Sequence, residues 1–62
     1  MDSEQIMKMD PNILVSILNM KLRDFYSSLE ILCDDMGLIQ EELEGKLDKV
    51  GYKYDKTINQ FK

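Results

Sequence analysis

From Asp10 to Phe25 the chain reads DPNILVSILNMKLRDF, and this stretch sets the terms for the rest. Asp10 is a good N-cap, and Pro11 suits the first helical turn, where its missing N–H is no loss. No breaker follows before Asp24, so the pattern predicts a helix of about 14 residues, roughly 21 Å long. Taken at 100° per residue from Ile13, the apolar residues Ile13, Leu14, Val15, Ile17, Leu18, Met20 and Leu22 cover an arc of roughly 220°, about twice the stripe that one core face requires. A helix this apolar is expected at the centre, with the remaining segments packed around it.

What can pack there is limited. The chain has 62 residues, and a domain of this size buries only about 60% of the surface its unfolded form exposes. Cys33 is the one cysteine and there is no histidine, so neither an internal disulfide nor a histidine-bearing zinc site can add stability. Tight helix packing or self-association remains. Met1-Asp2-Ser3-Glu4 lacks the basic start and apolar core of a signal peptide. The longest apolar run, Ile13 to Val15, is far shorter than the ~20 residues that span a membrane. The expectation is a cytoplasmic protein with no membrane contact.

In order along the chain, residues 1–9 read as an N-terminal extension, either frayed or adding a turn of helix that lays Ile6 and Met9 on the core. Residues 10–62 form the domain proper. A second helix is expected from Ser28 to about Met36, with Ser27 and Glu30 as a capping box and Tyr26 and Ile31 as a hydrophobic staple. Its inner face is Leu29, Leu32, Cys33 and Met36, and Gly37 is a natural left-handed stop. A third helix, from about Gln40 to Val50, presents Ile39, Leu43, Leu47 and Val50 on one face. Its cap is poor, because Ile39 stands where Ser, Thr or Asp is preferred. Gly45 in its interior costs about 1 kcal/mol relative to alanine. After Gly51 the apolar spacing changes from helical to alternating, which predicts a hairpin pairing Tyr52–Tyr54 with Asn59–Phe61. The fold class expected is mainly α: a three-helix, helix-turn-helix-like bundle with a short C-terminal β-hairpin, resembling a minimal winged helix.

That shape raises nucleic-acid binding, and the charge distribution answers it. From Glu30 to Asp48 seven carboxylates face Lys46 alone, a net charge of −6, whereas residues 49–62 carry +3. The recognition helix of such a motif enters the groove by its N-terminal residues. Here these include Glu41, Glu42 and Glu44, which repel phosphate. A weaker alternative uses Lys53, Lys56 and Lys62 on the hairpin, with Tyr52 or Tyr54 as a stacking surface.

Enzyme chemistry has little to draw on. Cys33 and the serines Ser16, Ser27 and Ser28 have no histidine to activate them. Asp34, Asp35, Glu41 and Glu42 lack EF-hand spacing and read as a solvated acidic face. No catalytic residue, cofactor or metal site is expected. Lys21 and Asp24 fall inside the apolar arc of the central helix, where snorkelling or an ion pair with a neighbouring helix accommodates them.

The stretches PNILVSILNMKLRDFYSSLEILCDDM, EELEGKL and GYKYDKTINQF also resemble a family, the short bacterial proteins grouped as domain of unknown function 4250. The likeness covers residues 10–61, and Ile39 departs from the more polar residue expected there. It implies a small, stand-alone bacterial cytoplasmic protein, and it supplies no activity, ligand or catalytic residue.

The function expected from these readings is a non-catalytic protein-interaction or self-associating module. Val15, Met20 and Leu22 are the candidates for a weak homodimer contact, unless the N-terminal extension or the hairpin covers them within one chain.

Overall fold

Asp10 opens the central helix as its chemistry dictates, its side chain accepting a hydrogen bond from the Asn12 backbone N–H at 2.8 Å. The computed structural model describes residues 3–62; Met1 and Asp2, part of the expected extension, lie outside the described residues. The elements are α1 (Ser3–Lys8), α2 (Pro11–Asp24), α3 (Leu29–Met36), α4 (Gln40–Asp48), β1 (Tyr54–Asp55) and β2 (Gln60–Phe61). α2 runs for ~21 Å, nearly the 26 Å of the longest molecular dimension. It touches α3, α4 and β2, while α3 and α4 also touch one another. The protein is therefore mainly helical, with a two-stranded antiparallel hairpin at its C-terminal end.

The core takes at least one side chain from every helix and one from the hairpin: Ile6, Leu14, Val15, Leu18, Leu22, Leu29, Leu32, Cys33, Leu38, Leu43, Leu47 and Phe61. Leu18, Leu32 and Leu43, one from each of the three larger helices, are fully buried. Residues 3–8 form a helix that sends Ile6 into the core and leaves Met7 and Met9 packed at its margin. Phe61, on the strand packed against α2, supplies apolar surface that covers part of its wide arc from within the chain.

Two helix boundaries differ from the sequence expectation, for local reasons. The cap of α3 is Ser28 and not Ser27; its hydroxyl accepts from the Ile31 N–H at 3.2 Å. Glu30 then sits one position too early for a capping box, and Ile31 is exposed, so the staple does not form. A distant residue fixes this choice. The Tyr54 hydroxyl accepts from the Leu29 N–H at 3.2 Å, satisfying a donor that the helix start leaves open. α4 ends at Asp48, because the Tyr52 N–H bonds back to the Leu47 carbonyl at 3.0 Å, with Gly51 at a φ of 88° allowing the reversal. That bond draws Tyr52 out of the hairpin. The strands pair Tyr54 with Phe61 and Asp55 with Gln60, so that Phe61 stands opposite Tyr54 and not Tyr52, a shift of two residues from the expected pairing, and Lys53 and Lys62 exchange two further backbone bonds. Ile39 and Val50, expected on the inner face of α4, are both exposed.

Side-chain amides fasten the hairpin to α2. Asn19 faces Phe61 as a strand backbone would: its Nδ2 donates to the Phe61 carbonyl at 3.1 Å and its Oδ1 accepts from the Phe61 N–H at 2.7 Å. Gln60 Nε2 donates to the Asn19 carbonyl at 2.9 Å. Asn59, held at a φ of 54°, donates to the carbonyls of Leu22 and Tyr26 at 3.0 and 2.9 Å, closing the exposed C-terminal end of α2. The Asn59 Oδ1 in turn accepts from the Tyr54 hydroxyl at 2.6 Å. Among the described residues no buried side-chain nitrogen or oxygen lacks a partner.

Candidate interaction surfaces

The arc of α2 divides into two halves with different fates. Leu14, Val15, Leu18 and Leu22 fall within about 100° of one another and are buried. This corrects the expectation for two of the three candidate self-association residues. Val15 is 5% exposed and Leu22 2%, since the chain itself covers them. Met20, at 44%, remains at the surface, in a stripe with Ile13 (58% exposed) and the half-buried Ile17. The two charged residues of the arc are satisfied on their own helix. Lys21 Nζ stands 5.9 Å from the centre of the exposed Phe25 ring, and Asp24 pairs with the adjacent Arg23 at 3.1 Å in place of a neighbouring helix.

α4 carries a second surface, built from two positions that weaken it. Ile39 occupies its N-cap with no side-chain cap bond and is 62% exposed. A capping Ser, Thr, Asp or Asn there is worth ~1 kcal/mol. Gly45 sits mid-helix without a positive φ, and a Cβ placed on it would meet nothing within 4 Å. The fold therefore does not require glycine at this position. Glu42, Gly45, Lys46 and Lys49 share an arc of about 100° turned away from Leu43 and Leu47, with Ile39 at its edge. Open depressions flank Gly45 on both sides: one of about 500 Å³ reaches Met7 of α1, and one of about 410 Å³ reaches Tyr52 and Lys53.

The basic residues of the hairpin are partly engaged with its neighbours. Lys53 Nζ lies 3.6 Å from Asp48 and Lys62 Nζ 3.9 Å from Asp55, while Lys56 is exposed beside Ser28 and Glu30. Tyr54 packs on Phe61 with ring centres 5.5 Å apart and spends its hydroxyl on Asn59 and Leu29. It is a structural residue of the hairpin, not a free stacking platform. Cys33 is buried against the core, and burial, with a smaller contribution from Glu44, pushes its thiol above the ordinary range and keeps it protonated. Among the described residues no three carboxylate or thiol side chains converge as a metal site requires. Nor is any helix among them long and apolar enough to cross a membrane.

The residues that sequence reasoning missed are Asn19, Asn59 and Gln60. Their amides look like ordinary surface and turn chemistry, and only the fold shows that all three face α2 or the hairpin docked on it.

A protein-family model described as "Domain of unknown function (DUF4250)" matches residues 8–61. No curated protein and no solved structure matches.

Proposed function

This chain belongs to the DUF4250 family, and from that premise we propose that it is a non-catalytic protein-interaction module of the bacterial cytoplasm that associates with a second copy of itself. The observation that carries the reading is the apolar surface the fold leaves out of its core, with Ile13 and Met20 on α2 and Ile39 on α4 each more than two-fifths exposed. A 62-residue domain gains by covering such surface. The contact is weak by its energetics. Fully burying one such side chain contributes about 1.5–3 kcal/mol, and these start only half exposed. Lost translational and rotational freedom opposes association by an estimated 4–15 kcal/mol. A dimer of micromolar or looser affinity is expected. Sedimentation velocity at increasing concentrations tests it: a rising sedimentation coefficient supports self-association, and a constant monomer value across the range rejects it.

A further inference from the structure

One flank of the outer face of α4 carries Glu42 towards its N-terminal end and Lys46 and the C-cap Lys49 towards its C-terminal end, while on the other flank Asp48 is paired with Lys53 at 3.6 Å. We propose that this face is where two copies of the chain pair, their α4 helices antiparallel about a two-fold axis near Gly45. The proposal rests on the self-association reading above and gives it a location.

Three independent features converge. First, a two-fold contact requires one patch to be complementary to itself. Antiparallel pairing centred on Gly45 sets Lys49 of one copy level with Glu41 and within a turn of Glu42 of the other, and Lys46 level with Glu44, while Asp48 keeps its own Lys53. Parallel pairing would set like charges together. Second, Gly45 removes a side chain at the crossing point, where the two helix backbones come closest. Nothing inside the chain uses that space, and the depressions on either side of it are open. Third, the same pairing brings the exposed Ile39 of one copy towards the exposed Val50 of the other. Both residues are thereby covered at the two ends of the contact, and Met7 of α1 borders it. The competing surface, the α2 stripe of Ile13, Ile17 and Met20, has no such pattern. Unlike that stripe, α4 combines exposed apolar ends with a missing cap bond and a glycine that the fold does not need.

The test is sedimentation of the full chain at several concentrations, with helix content monitored in parallel. Gly45→Leu should weaken self-association by about tenfold or more, as expected when a side chain is forced into the centre of a contact, while the monomer stays folded. Glu42→Lys and Lys49→Glu should each weaken it by roughly threefold at low salt, the scale of an exposed ion pair. The double variant should restore it, because each new charge meets the other across the axis. Association that survives Gly45→Leu, or a double charge variant no better than either single one, overturns the proposal. If Met20→Glu alone abolishes association, the protein does pair with itself, but through α2. A wild-type chain that is monomeric throughout removes the self-association reading and this proposal together.

Discussion

The hairpin side of α2 and the outer face of α4 are built on opposite terms. On the hairpin side, polar groups 25 to 42 residues apart in sequence meet, and the open carbonyls of α2 and the first amide of α3 find partners in Asn59 and Tyr54. On α4, the cap makes no side-chain bond, an interior glycine packs on nothing, and Ile39 faces solvent. In a domain this small a few kcal/mol is a large share of total stability. One face is therefore organised for holding the chain together, and the other carries costs that the isolated chain does not recover. Local sequence choices that oppose the fold are the places to look for contacts outside it.

The sharpest way to probe that contrast is to compare substitutions on the two faces by denaturant unfolding. The largest effect belongs to the core beneath both of them. Leu43→Ala, on the inner side of α4, should cost about 2–5 kcal/mol, enough to unfold most molecules of so small a domain, and a melt like that of the parent would show α4 to be loosely docked. On the hairpin side, Asn59→Ala removes three side-chain hydrogen bonds and should cost about 1.5–4.5 kcal/mol at 0.5–1.5 per bond. Asn59→Gly, which suits the positive φ, should recover a part of this. Equal losses from both variants would place the whole effect in the side chain.

Reaching α4, the sign reverses. Gly45→Ala and Ile39→Ser should each stabilise the monomer by about 1 kcal/mol, raising the melting temperature by roughly 4–8 °C. A loss of stability from either would mean that the residue serves the fold after all.

The smallest effect is electrostatic and confined to the hairpin turn. Bonds from the Thr57 hydroxyl and backbone N–H hold the Asp55 carboxyl below its ordinary range. A depressed carboxylate stabilises the folded state at pH values above its unfolded pKa, and that contribution is lost as the pH falls through the folded value. The stability of the parent should therefore decline somewhat faster than that of Thr57→Val as the pH is lowered below the usual carboxylate range. Parallel pH profiles for the two would remove Thr57 from the account.

These contrasts also explain what the sequence revealed and what it withheld. α2 was readable to the residue, because Asp10, Pro11 and an unbroken apolar period all act locally. So were the left-handed stop at Gly37 and both weaknesses of α4, which depend on single residues. The cap of α3 slipped by one place because Ser27 and Ser28 are equally competent, and Tyr54 selects between them from 25 residues away. Val15 and Leu22 were misjudged for the same reason. Periodicity gives the width of an apolar arc but not which distant segment comes to lie on it, here the strand of Phe61. Helical phase put Ile39 with Leu43 and Leu47, so its exposure, like the open space beside Gly45, needed the structure.

The paired bonds between Asn19 and Phe61 join points 42 residues apart and enclose α3, α4 and the hairpin in one loop. Closing a loop of that length must be done against chain entropy before its contacts return anything. Helices this short are marginal on their own in water, so they and the last strand depend on one another for their stability. Once shut, the clasp makes opening collective. The Phe61 amide should then exchange its hydrogen with solvent only as fast as the amides of the buried helices, and the C-terminal strand should not fray separately from the rest.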